Sequence, residues 1–188
     1  MAQSVRGKTY LSLLAHICTI ALWSKVKAYF EDSPSKLKVA KLIVEAGLRI
    51  TEDGKIYCGE IEVPATKIAA AADVDRRLVK ETAKAILRSA ELKQIFMNLR
   101  PAGPLLRDVA QSLGYGVVEI RAKPEAPGII SEAASLIARE GISIRQILAE
   151  DAEIYPDPKL VIITEKPVPG ELLSKFLKIA TVKQVTIA

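Results

Sequence analysis

Apolar positions recur along this chain in two rhythms. Ser33-Pro34 opens a helix, because Ser can accept the free amide donors of a first turn and Pro suits that turn. Leu37, Ala40, Leu42, Ile43 and Val44 then supply a broad apolar face, and Gly47 is a natural stop. Residues 48–63 carry Glu52-Asp53-Gly54 between Ile50 and Ile56, the signature of a short hairpin or extended excursion. Residues 65–72 and 76–88 predict two helices split by a tight turn at Asp73-Val74-Asp75. Pro101-Ala102-Gly103-Pro104 breaks the chain, a helix is expected over 105–113, and Gly114-Tyr115-Gly116 marks a domain boundary.

Beyond that boundary the rhythm changes. Residues 116–123 read as a strand, 128–140 as a helix, 142–150 and 160–164 as strands, 169–179 as a helix and 182–187 as a last strand. This β-α-β-β-α-β order is ferredoxin-like: an antiparallel sheet with two helices on one face. The expected class is therefore α+β, with an uncertain N-terminal extension over 1–22, a mainly helical domain over 23–114 and a second domain over 115–188.

Charge sharpens that division. Residues 1–115 hold 18 Lys and Arg against 12 Asp and Glu, whereas residues 116–188 hold 9 against 10. The basic excess thus belongs to the first part, which suits an anionic partner there. Apolar residues make up 49% of the chain, enough for a sizeable core. Cys18 and Cys58 lie far apart, and His16 sits in an apolar stretch. That pattern points to a reducing, cytoplasmic setting and to neither a disulfide framework nor a metal site. Arg6 and Lys8 before the apolar run of residues 10–23 resemble a signal peptide faintly, but no cleavage site follows. The run is also short for a membrane span, which needs about 20 residues. Gly7-Lys8-Thr9 is not a phosphate loop, since the required earlier Gly is Ala2.

The stretch from Ala65 to about Lys84 resembles a helix-turn-helix. Ile68, Ala72, Val74 and Val79 fall at its apolar positions, small Ala69 at the point of close approach, and Thr82 at a position usually apolar. Asp73 stands where Gly is usual, a substitution that the left-handed backbone tolerates. Asp75 is a good cap for the second helix. On that helix Arg76, Lys80, Lys84 and Arg88 recur every four residues, Arg77 flanks them, and Glu81 lies nearby. Val79, Ala83, Ile86 and Ala90 form the opposing apolar stripe. A helix entering a DNA major groove needs cations for phosphates and base edges, placed most usefully near its N-terminus. Double-stranded DNA is thus an expected partner. The alternative is a solvated helix in a packing unit or a protein-binding surface.

The region from about Val117 to Ile187 resembles the ACT domain family. The resemblance rests on Glu125-Ala126-Pro127-Gly128-Ile129-Ile130 after the first strand, then an amphipathic helix, then Gly141-Ile142-Ser143-Ile144. Glu125 stands where Asp is commoner and Ser143 where Asn is commoner. Gly128 would let backbone approach a ligand closely, and a helix start favours a carboxylate. The resemblance implies a small effector, an amino acid in many members, bound between paired domains, with candidate contacts at Glu125, Ala126, Gly128, Ile129, Ile130 and Ser143. It also implies a homodimer or higher homo-oligomer. Glu150, Asp151 and Glu153 could hold a cation, though a solvated hairpin end is the simpler reading.

A helix-turn-helix part before one ACT domain resembles archaeal regulators of amino-acid metabolism. No G-x-S-x-G, H-E-x-x-H or dinucleotide fingerprint occurs, so no catalytic residue, cofactor or metal is expected and the chain does not read as an enzyme. The expected function is an amino-acid-responsive transcriptional regulator with no membrane partner. The alternative is a regulatory subunit that binds an amino acid and docks on a biosynthetic enzyme without touching DNA.

Overall fold

The computed structural model describes residues 22–123 and 126–188. The extension's Arg6, Lys8, His16 and Cys18, and the candidate ligand residue Glu125, lie outside them. The chain divides into two compact units, one ending at Arg100 and the other spanning Pro101–Ala188.

Helices dominate the first unit: α1 (Leu22–Tyr29), α2 (Pro34–Glu45), α3 (Ala65–Ala72), α4 (Arg76–Arg88) and α5 (Ala90–Asn98). A small antiparallel sheet of β1 (Arg49–Ile50), β2 (Ile56–Cys58) and β3 (Ile61–Glu62) occupies the expected hairpin region. Helix α4 is the hub, touching α2, α3 and α5. Its Val79, Thr82, Ala83 and Ile86 are buried, as are Val39, Ala40 and Ile43 of α2 and Ile68, Ala69 and Ala72 of α3. Burying a polar hydroxyl at Thr82 is tolerated because its Oγ1 donates to the Leu78 carbonyl at 2.7 Å.

Two helix ends use the same device. At the end of α2, Gly47 has φ +60°, its amide donates to Val44 O, and the Leu48 amide reaches back to Ile43 O. At the end of α3, Asp73 takes the left-handed position with φ +53°, while the Val74 amide reaches Ala69 O at 3.0 Å. Both are Schellman-type stops, the second built on Asp where Gly is commoner. Asp75 then starts α4 by accepting the Arg77 amide at 2.7 Å.

The apolar stripe of α4, expected to run on to Ala90, ends at Ile86. The helix stops at Arg88 because Ser89 adopts an extended backbone, and its Oγ accepts the Leu92 amide at 3.3 Å, capping α5. Ala90 is exposed at the start of that unanticipated helix, which buries Leu92 and Phe96 instead. In the β1–β2 turn, the Thr51 hydroxyl holds the Asp53 carboxyl below its usual range, and the charge of Glu62 raises the Lys55 ammonium. Both groups serve the turn.

The second unit follows the order β4 (Gly116–Ala122), α6 (Ile129–Arg139), β5 (Ile144–Ala149), β6 (Lys159–Thr164), α7 (Leu172–Phe176) and β7 (Val182–Ile187). Its sheet has strand order β5-β6-β4-β7 with every neighbour antiparallel. One face packs Val118, Ile120, Leu160 and Ile162 against Ala133 and Ile137 of α6 and Leu172 and Phe176 of α7. The other face packs Val117, Val161 and Ile163 against Ala110, with Leu106, Tyr115 and Leu148 beside them. This second cluster explains why the division between units precedes Gly114-Tyr115-Gly116: residues 101–115 help to cover the sheet. The single helix expected over 105–113 resolves into two short 3-10 turns, Arg107–Val109 and Gln111–Leu113. With Leu106 and Ala110 facing the sheet and Val109 and Leu113 exposed, the segment lacks a broad buried face to sustain an α-helix.

Gly116 sits at a crowded point of the sheet. A Cβ there would lie 2.6 Å from Thr164 Oγ1, 2.7 Å from Pro167 Cα and 2.8 Å from Lys166 O. Gly116→Ala should therefore destabilise the protein by about 1–3 kcal/mol in urea denaturation. Gly170→Ala, where a Cβ meets nothing within 4 Å, should stay within about 0.5 kcal/mol of the parent. A neutral Gly116→Ala would show that the β6–α7 connection yields freely. Asp75→Ala, which removes the α4 cap, should cost about 0.5–2 kcal/mol in the same assay.

Candidate functional site

Helix α4 sorts its side chains by sign as well as by polarity. At about 100° per residue, Arg76, Lys80, Lys84 and Arg88 advance round the helix over about 120°, and Arg77 falls within that arc. All five are exposed, and among the described residues none lies within ion-pair distance of a carboxylate. Several cations elsewhere in this unit are paired, though Lys36, Lys38, Lys67 and Arg100 have no carboxylate partner among the described residues. Lys25 pairs with Glu91, Arg49 with Glu60 at 3.2 Å, Lys55 with Glu62 at 3.5 Å and Lys93 with Glu52 at 3.0 Å. Glu81 is exposed too, at the margin of the arc that Arg77 and Arg88 occupy. The arc is thus an uncompensated positive surface on a helix whose opposite face is locked in the core.

The second candidate lies in the C-terminal unit. Gly128 adopts φ +95° at the start of α6, and this helix has no side-chain cap. Its first amides have no acceptor within the helix by position. The Gly128 carbonyl is engaged, accepting the Glu132 amide at 2.9 Å and the Ser131 hydroxyl at 2.8 Å. Beside this turn opens a cavity of about 550 Å³, bounded by the end of β4, the first turns of α6 and the β5–β6 connection. Ile120 and Leu160 line it from the sheet, Ile130 and Ala134 from α6, and Ala149 from the end of β5.

The predicted ligand residues divide between two places. Ala126, Gly128, Ile129 and Ile130 all line the cavity. Ser143 does not: it precedes β5, whereas Ala149 at the other end of that strand lines the cavity, about 20 Å of extended chain away. Ser143 is exposed, and its backbone is taken up by Glu165, the Ser143 amide donating to Glu165 Oε1 at 3.2 Å and the Ser143 carbonyl accepting the Glu165 amide at 3.0 Å. Ile120, Ala122, Lys123, Ala134 and Leu160 were not anticipated as lining residues. Ile120 and Ala122 share one face of β4, and Ala134 stands one helical turn after Ile130, so periodicity alone could have indicated these three. The acidic cluster does turn-building work: Glu150 Oε2 accepts the Lys159 amide at 3.0 Å and Asp151 Oδ1 accepts the Glu153 amide at 2.8 Å.

Among the described residues no helix is long and apolar enough to cross a membrane. No group of three His, Cys, Asp or Glu residues among them is placed to hold a metal ion. No protein-family model matches this sequence, and no curated protein does either. The crystal structure of PH0061 is similar over 81% of this chain and 88% of its own, at 13% identity and a TM-score of 0.26. An overlap that low supports no functional argument.

Proposed function

We propose that this protein is a non-catalytic, amino-acid-responsive transcriptional regulator. In this reading α3 and α4 form a helix-turn-helix that binds DNA, and the C-terminal unit is an ACT-type, ferredoxin-like domain that senses a small effector. The observation that carries the proposal is the arc of five exposed cations on α4 that have no ion-pair partner among the described residues. A solvated structural helix gains by interspersing carboxylates four residues from its cations; on α4 only Glu81, four residues after Arg77 at the arc's margin, is so placed, and Arg76, Lys80, Lys84 and Arg88 have none. Arg76 and Arg77, just past the Asp75 cap, would contact base edges; Lys80, Lys84 and Arg88 would contact phosphates. The strand order β5-β6-β4-β7 and the cavity beside Gly128 support the sensing half. A homodimer would present two such helices to a two-fold operator.

Binding to duplex DNA, followed by fluorescence anisotropy, should weaken steeply with salt. With Lys80, Lys84 and Arg88 on phosphates, the log–log slope should be about −3 per protomer engaged. The double variant Arg76→Ala/Arg77→Ala should lose most discrimination between sequences with little change in slope, whereas Lys80→Ala/Lys84→Ala should lose about two units of slope per protomer. A slope near zero in the parent would reject DNA binding and favour docking on an enzyme. A thermal-shift panel of the twenty amino acids tests the other half: an effector at about 100 times its dissociation constant should add about 2.7 kcal/mol of stability. No shift at millimolar concentrations would reject amino-acid sensing.

A further inference from the structure

We infer that the cavity between α6 and the β5–β6 connection takes a small carboxylate with a bulky apolar tail, and so selects against polar and very small amino acids. The inference rests on the sensing half of the proposed function and narrows its ligand class. Three features of the cavity carry it.

The first is size. About 550 Å³ lies within the range of roughly 300–1,000 Å³ typical of drug-sized ligands. Glycine or serine would leave most of it to water. The second is lining. Ile120 and Leu160, both buried side chains of the sheet's core face, reach the cavity, so its inner end continues the domain core. The space exists because Ala122, Ala134 and Ala149 stand where larger side chains would fill it. A polar ligand group pushed to that end would lose its water and meet few partners, whereas an apolar group would complete the packing. The third is charge. Lys123 lines the cavity and is exposed, with no ion-pair partner among the described residues. Glu150, the lining carboxylate, already accepts the Lys159 amide through Oε2. Lys159 also lines the cavity, so its described lining holds two cations against one carboxylate, which suits a ligand carboxylate near Lys123 with its tail toward Ile120 and Leu160.

The test is a homologous series titrated into the full-length protein by calorimetry: alanine, 2-aminobutyrate, norvaline and norleucine, with butyrate, hexanoate and octanoate in parallel, and serine and aspartate as polar probes. Each added methylene contributes about 0.8 kcal/mol when buried, so affinity should rise about fourfold per methylene within a series. Ala134→Leu, which adds three carbons of bulk to the cavity from a half-buried helix position, should flatten that rise. Ile130→Ser, at a side chain 46% exposed, should reduce the affinity of every tailed probe at little risk to the fold. If Ala134→Leu fails to fold, the parent's series and Ile130→Ser still decide. A rise along either series, reduced by the variants, supports the inference. Serine or aspartate binding as tightly as norleucine overturns it while leaving amino-acid sensing intact. Octanoate binding with no amino acid bound upholds the apolar carboxylate site and rejects amino-acid sensing. No binding of any probe at millimolar concentration overturns both.

Discussion

The C-terminal unit depends on the burial of β4 and β6 on both faces at once. These adjacent strands alternate Val117, Val118 and Ile120 with Val161, Ile162 and Ile163, and apolar side chains leave on either side. A sheet covered by helices on one face alone would leave Val117, Val161 and Ile163 wet, at a cost of about 1.5–3 kcal/mol for each large side chain. Residues 101–115 help to meet that demand, which is why they belong with the sheet. Gly116 then brings the chain from that cover into β4, past Thr164 and the backbone of Lys166 and Pro167, where no side chain would fit.

The helical unit solves a related problem through α4. One face of this helix is completely buried among α2, α3 and α5, so its orientation within the unit is set by packing. That leaves the outer face free to carry like charges, whose mutual repulsion costs only a few tenths of a kcal/mol per pair in solvent. The Asp73 stop and the Asp75 cap make the approach to the helix compact and place Arg76 and Arg77 at its first turn. A carboxylate at the cap also suits the positive end of the helix dipole. Stability and a cationic surface therefore draw on opposite sides of one element and do not compete.

The cavity beside α6 follows from where the sheet stops being covered. Helix α6 packs Ala133 and Ile137 onto Ile120, Ile162 and their neighbours, while its first two turns, with Ile130 and Ala134, line the cavity together with Ala122 of β4 and Ala149 of β5. Small side chains on both sides leave a space that the fold has no other means of filling, because α6 cannot move closer without crowding its buried contacts.

Much of this molecule was legible in its sequence for a physical reason: periodic burial and backbone conformation are local. The helices Ala65–Ala72 and Arg76–Arg88 were delimited by Asp73 and Asp75, and the β-α-β-β-α-β order by alternating apolar runs and glycines. The exposed arc on α4 was visible in its four-residue spacing. What needed the tertiary structure was whatever depends on distant residues meeting. Helix α5 was hidden because Ser89 reads equally as a helix interior or a cap until Leu92 and Phe96 have a core to enter. The cover at 101–115 depends on a second sheet face that no local pattern announces. Ser143 and Gly128 stand close in a motif read along the chain, yet β5 runs about 20 Å between Ser143 and the cavity. The cavity itself is a gap between side chains from several elements, and only their packing could bring it into being.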